Sequence, residues 1–528
     1  MDFLFHSKKM RKRYLCSKNL RWGLLFLLGN TIGFTQSGFI NTYDLGVGGT
    51  SFHGILQIED TLIVVGSRQN ANTNTWGLYF AKMDTLGNIL LEQEYFDPNG
   101  ASFIFDQEAA FIRTADQGFA LVGTDLNSSY TPFLCKLSDL GEVEWLQYYP
   151  DNATLTKWHK GLVETPSGFL SVGMKQQLVD GAWDAFVQGV DQEGNFLWEQ
   201  SFGVLDVYEA FWGVQVWSDT SYLICGSKGN STAQVSDLNQ LWSKGWSLWV
   251  DQEGQVLEEW ESASINLLDN DGPNFNRLLP GPDGGWINEG YRASAVNTLG
   301  EDKLAYQPQI VFRDSTLSII QTIDIGEPTS DKNNLVDLIL KENGDWLGVG
   351  QYIEIEDSVA YTGYQGALQV SGKGNGQLSW MRTDTVIQKT GIVPFLSSAI
   401  AMPNGTSYAV GYINRFDLSP SKSNGLLIKL GADGCIDPGC FLGNPNSVTG
   451  IDRTVRLNMV PNPSSGTFQI KGLDQNYVVR IYGQNGVLEW SKESCAPTEN
   501  LSPPLPSGTY WVQISWNQGQ SILTLVVP

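Results

Sequence analysis

The stretch FDQEAAFIRTADQGFALVGTDLNSSYTPFLCKLSDLGEVEWLQYY, residues 105–149, is the unit from which most of the chain is built. It reads as four short apolar strands separated by turn sequences, DQG at Asp116 and a second turn ending in Gly141. The layout then returns along the chain. An apolar strand ending in Gly falls at Gly66, Gly123, Gly173, Gly226, Gly290, Gly350 and Gly411, with spacings of about 50–64 residues. A second marker is a hairpin turn whose Gly is followed four residues later by a hydrophobe. It falls at Gly87, Gly141, Gly194 and Gly376; Gly254 keeps the turn but has Glu258 in the fourth place, and the turn at Arg313–Leu317 lacks Gly.

Four antiparallel strands repeated at this period predict propeller blades, because radial packing buries both faces of each sheet and hides most strand edges. The seventh unit ends at Gly434 without a fourth strand, while FINTYDL, Phe39–Leu45, precedes the first unit. Pairing these two ends predicts an all-β, seven-bladed β-propeller over residues 38–440, closed by its N-terminal strand, with six or eight blades as alternatives. The repeat resembles the outer-surface propellers of Bacteroidetes and, more distantly, quinoprotein-like propellers with D-x-x-G-x-x-x-W turns.

Composition agrees with this class. The 528 residues include 57 Gly, 18 Trp, 19 Tyr and 24 Phe, the turn formers and bulky rings that sheet packing consumes, and 41% hydrophobic content is enough for a large core. Net charge is -23, and without the first 37 residues 26 basic face 55 acidic residues. Such a surface repels phosphate backbones, so nucleic acid is excluded as an expected partner.

Both ends carry address signals. Lys8, Lys9, Arg11, Lys12, Arg13, Lys18 and Arg21 precede an apolar run, Gly23–Phe34, followed by small residues, so residues 1–37 read as a signal peptide. That run is too short to span a bilayer, which takes about 20 apolar residues, and no transmembrane segment is expected. After a Gly/Asn/Pro-rich linker, residues 441–451, the composition changes. Residues 452–528 contain PNPSSGTF, VVRIYGQNG, LPSGTYWVQI and a terminal SILTLVV, read as strands of a small β-sandwich. Their order and spacing resemble the type A C-terminal sorting domain of the type IX secretion system. The resemblance rests on Pro461, Asn462, Pro463, Gly466, Gly486, Leu505, Pro506, Gly508 and Tyr510. It implies a partner, the type IX secretion machinery, and a secreted or outer cell-surface destination reached through the periplasm.

Loops between second and third strands share one face with the starts of the first strands, and loops carry binding. The candidate ligand-binding residues at that channel mouth are therefore His53, Asp106, Glu108, His159, Glu209, Trp212, Asn276, Arg277, Asn334 and Asp337. Carboxylates, amides and aromatic rings in a ring suit a glycan or a protein ligand. Three His are too few for a multi-histidine metal site, and no G-x-S-x-G, H-E-x-x-H or Walker motif occurs. No catalytic residue, cofactor or metal is assigned. Cys435 and Cys440, in GCIDPGC, form the disulfide candidate. The expected function is that of an exported binding propeller. The alternatives are a secreted hydrolase or quinoprotein-like oxidoreductase using the same mouth, or a structural surface or biofilm component.

Overall fold

The structure is a computed structural model. It describes residues 38–528 apart from 46–47, 106–109, 127–129, 152–153, 178–182, 205–206, 219, 231–241, 262–264, 267–277, 282–283, 299–300, 327–333, 358–361, 385–391, 417, 419–420, 437–457, 465, 472, 474, 484–487 and 517–518. The signal-peptide segment, the linker and Gly486 thus lie outside the described residues.

Strands and turns account for the described chain, which contains no α-helix. Antiparallel four-strand units follow one another in sequence order. The first comprises Thr50–Ile58, Thr61–Gln69, Trp76–Met83 and Ile89–Tyr95. In the second, Phe103–Ile104 and Phe111–Arg113 both pair with Phe119–Asp125, followed by Thr131–Leu137 and Val143–Tyr148. The third (Thr154–Thr165, Gly168–Gln177, Trp183–Asp191, Phe196–Phe202) and the fourth (Tyr208–Ser218, Ser221–Gly229, Trp242–Asp251, Val256–Glu261) are linked by one parallel pair, Trp183 with Tyr208. Leu278–Pro280, Trp286–Thr298, Glu301–Arg313 and Ile319–Asp324 make the fifth unit, and Asn334–Leu340, Trp346–Asp357, Thr362–Gly372 and Leu378–Asp384 the sixth. The last holds Ile392–Ala401, Ser407–Arg415 and Lys422–Leu430, and its outer strand is Phe39–Tyr43, paired from Phe39 with Lys429 to Tyr43 with Gly425. The N-terminal strand therefore pairs where the strand count placed it.

Alternation along the second strand of each unit explains why the units stack. Ile63 and Val65 join a core with Phe119, Leu121 and Phe133 of the second unit, while Leu62 and Val64 join another with Tyr408, Val410 and Leu427 of the last. Side chains of period two thus serve two neighbours, and every sheet is apolar on both faces. The remaining clusters join the second unit to the third, the third to the fourth, the fourth to the fifth, the fifth to the sixth and the sixth to the last. Between the last unit and the first, Tyr408 donates its hydroxyl to Thr85 O at 2.9 Å, and Tyr43 donates to Gly87 O at 2.7 Å.

The repeated strand glycine has a steric cause. The first strands of the first, third, fourth, sixth and last units each carry a β-bulge, at His53, Lys160, Trp212, Val336 and Ser397, and the glycine pairs with the residue just before the bulge. At that point the first strand's backbone presses on the glycine. A Cβ would lie 1.9 Å from Ser51 O at Gly66, 1.9 Å from Trp158 O at Gly173, 2.0 Å from Ala210 O at Gly226, 2.0 Å from Asn334 O at Gly350 and 1.8 Å from Phe395 O at Gly411. The turn glycines serve neighbours instead. Trp145, Trp198 and Trp380 lie against Gly194, Gly254 and Gly434 of the following unit, leaving 2.5–2.6 Å for any Cβ. Leu317 takes the same left-handed conformation, φ 62°, without being glycine. Its side chain is buried against the fourth unit's tryptophans and its carbonyl accepts from Arg313 Nη1 at 2.6 Å, which offsets a strain of about 1 kcal/mol.

Residues 458–528 have a core of their own. Asn458–Val460, Phe468–Lys471 and Asn500–Leu501 form one sheet; Leu488–Cys495, Tyr477–Tyr482, Gly508–Trp516 and Gly519–Val527 form another. Phe468, Ile470 and Leu501 of the first meet Val479, Ile481, Val512 and Ile514 of the second. The motif residues brace the chain end: Asn462 Oδ1 accepts from Val526 N at 3.0 Å, and Tyr510 Oη donates to Pro506 O at 2.7 Å. Pro461 and Pro463 follow cis peptide bonds. Cys435 is disulfide-bonded, and Cys440, its expected partner, lies outside the described residues. Cys135 and Cys495 are free and buried, and Cys225 is buried as well.

Candidate functional site

The bulged first strands converge. Segments 54–56, 110–112, 160–162 and 212–215, with Leu278, Asp337, Ile339 and 398–400, line one cavity of about 260 Å³, so every unit described above contributes. Small residues at the bulges, Gly54, Gly161, Gly213 and Ser398, let these strands approach. Most of the lining residues are apolar, with Lys160, Gln215, Asp337 and Ser398 among them, a mixture that suits a ligand with both apolar and polar groups.

Two sequence-predicted residues reach this cavity, Trp212 and Asp337. Trp212 donates its indole N–H to Ser227 Oγ at 3.1 Å. Asp337 is buried and accepts from Ser398 Oγ at 2.8 Å and Ala399 N at 3.0 Å, which ties the sixth unit to the last. His53, at a bulge in the first unit, is buried with Nε2 2.9 Å from Ser51 Oγ, between the rings of Phe105 and Tyr412. Asn334 is half-buried at the start of its strand, and its Oδ1 has no hydrogen-bond partner. Asp106, Glu108, Asn276 and Arg277 lie outside the described residues.

The structure puts His159 and Glu209 inside the protein rather than at a mouth. Glu209 accepts from Val204 N at 2.7 Å and sits 3.9 Å from Lys228 Nζ; burial raises its pKa above the ordinary carboxylate range, against that bond and that charge. His159 is 1% exposed, packed on Tyr149 and Phe186, and neither ring nitrogen has a partner. Burial, then the nearby Lys157 charge, holds its pKa well below 6.5. His159 is therefore neutral in the fold, and the unfolded chain takes up the proton first as pH falls. Stability present above pH 6.5 is lost progressively as pH falls below it. Thermal melts of His159→Phe at pH 7.5 and pH 5 should show less acid loss than the parent; equal losses would remove His159 as the cause.

Sequence reasoning missed Lys160. Its side chain is buried in the cavity wall, with Nζ 4.9 Å from the Trp212 ring centre and 5.2 Å from that of Trp158. Simple alternation offers His159 or Lys160 to the channel but not both, and the bulge between His159 and Gly161 decides for the lysine. Only a repeat-by-repeat alignment on the bulge, which puts Lys160 beside His53 and Trp212, would have singled it out.

No family model matches this chain, and no curated protein matches it in sequence. Solved structures align with it distantly. An ulvan lyase of a new polysaccharide lyase family is 10% identical, with a TM-score of 0.44, covering 76% of this chain and 98% of its own. The β-propeller domain of the trilobed protease from Pyrococcus furiosus, of open velcro topology, is 8% identical with a TM-score of 0.36, covering 70% and 93%. A puromycin hydrolase is 9% identical with a TM-score of 0.36; the alignment covers 69% of this chain but 58% of the hydrolase. All three TM-scores lie below 0.5.

Proposed function

We propose that residues 38–440 form a seven-bladed β-propeller, closed by its N-terminal strand, that is exported and binds a glycan or protein ligand at its central cavity. One observation supports this reading: apolar clusters lie between successive described units and between the last and the first, and the first strand of each unit reaches the same cavity. A rigid ring with variable loops above a shared cavity is a binding scaffold. Residues 1–37 act as a signal peptide. Residues 452–528 act as a β-sandwich sorting domain of type A, read by the type IX secretion machinery and removed on delivery to the cell surface or medium. The contacts of Asn462 and Tyr510 support a role for those motif residues in the domain's own folding.

Deleting residues 452–528 from the protein in a host with this secretion system is the test. The truncated chain should accumulate in the periplasm, folded and protease-resistant. Its undiminished appearance outside the cell would refute the sorting role.

A further inference from the structure

The described residues hold a run of aromatic rings that the cavity alone does not explain. Tyr130 stacks on Trp158 with ring centres 6.4 Å apart and planes at 27°; Trp158 meets Trp183 edge-on at 6.4 Å; Trp183 meets Tyr208 at 6.0 Å. The four rings come from the second, third and fourth units. Tyr130 immediately precedes the strand Thr131–Leu137, Trp183 and Tyr208 begin their strands, and Trp158 is the fifth residue of Thr154–Thr165.

Unlike the fully buried core rings Phe103, Phe119 and Phe133, Trp158, Trp183 and Tyr208 are half-buried and Tyr130 is 40% exposed. Tyr130 also adopts a left-handed conformation, φ 54°, rare for a bulky residue and a mark of positions held for a purpose. The Trp158 indole N–H is buried without an acceptor, and Tyr208 Oη donates to Met174 Sδ at 3.0 Å. Lys160 then connects this run to Trp212 and so to the cavity.

We propose that Tyr130, Trp158, Trp183 and Tyr208 are the contact surface for an uncharged oligosaccharide whose end enters the cavity past Lys160 and Trp212. Sugar rings have apolar C–H faces, so half-exposed aromatic rings suit them. An extended peptide would instead seek a free strand edge, and the contacts here are ring faces. The excess of 56 acidic over 33 basic residues disfavours polyanionic glycans. This inference rests on the reading of the chain as a binding propeller.

The purified protein is to be tested on one array of neutral β-glucan, mannan, galactan and xylan oligosaccharides, uronate-containing and sulfated oligosaccharides, and peptides. At least one neutral oligosaccharide should be retained. Tyr130→Ala, at an exposed site that leaves the melting temperature unchanged, should weaken its binding about tenfold, and Trp183→Ala by as much or more. Phe196→Ser, which removes an exposed ring outside the run, should leave binding unchanged. Retention of only anionic glycans or peptides, or neutral-glycan binding untouched by Tyr130→Ala, overturns this inference but leaves the binding propeller standing. Retention of nothing overturns both.

Discussion

Replacing Gly411 by valine should leave the protein unfolded. The first Cβ atom would sit 1.8 Å from Phe395 O, a backbone oxygen held in the ladder that pairs Leu396 with Gly411. Relief requires moving the inner strand of the last unit, whose Leu396 and Ala399 are packed against the sixth. Overpacking of a flexible site costs about 1–3 kcal/mol, and a clash with fixed backbone belongs at or beyond about 4 kcal/mol. Gly348 supplies the comparison. It lies two residues before Gly350 on an equivalent strand, yet its nearest atoms are Leu335 Cδ1 at 3.0 Å and Val370 Cγ1 at 3.2 Å, both side-chain atoms able to shift. Gly348→Ala should therefore cost about 1 kcal/mol, and Gly411→Ala several times more, by chemical denaturation. Equal costs would show that the bulge does not govern the repeated glycine.

Removing Phe39–Leu45 is expected to have a comparable effect for a different reason. Phe39, Tyr43 and Leu45 pack on the core between the last unit and the first, and Ile40 on the core between the sixth and the last. Their loss, with the Tyr43 hydrogen bond to Gly87 O, forfeits on the order of 5 kcal/mol, about the whole margin of a small domain. It also bares Lys422–Leu430, whose residues from Asn424 onward are all buried, as an open apolar edge. The deleted chain should be recovered as aggregate, and a soluble product melting within a few degrees of the parent would contradict this.

The strand order was legible in the sequence because turns and glycines recur. Gly123, Gly141 and Trp145 mark a unit whatever its ligand, and the unpaired count of strands pointed to Phe39–Tyr43 as the outer strand of the last unit. The site was less legible because a β-bulge shifts alternation by one residue, and nothing in WHKG between Trp158 and Gly161 announces it. His159 therefore drew attention that belongs to Lys160. Tyr130, Trp158, Trp183 and Tyr208 stayed hidden for another reason: they lie up to 78 residues apart by their numbering and meet only when three units stack. The repeat made the scaffold readable, while the residues that differ between copies needed the fold to bring them together.

Closure of the cycle by the N-terminal strand is the claim on which the architecture and the shared cavity both depend. Hydrogen exchange followed by mass spectrometry tests it on the unaltered protein. Peptides spanning Phe39–Tyr43 and Lys422–Leu430 should be protected together for hours, opening only with the global transition. Exchange of Phe39–Tyr43 within seconds, beside a protected Ser407–Arg415, would contradict the closed ring.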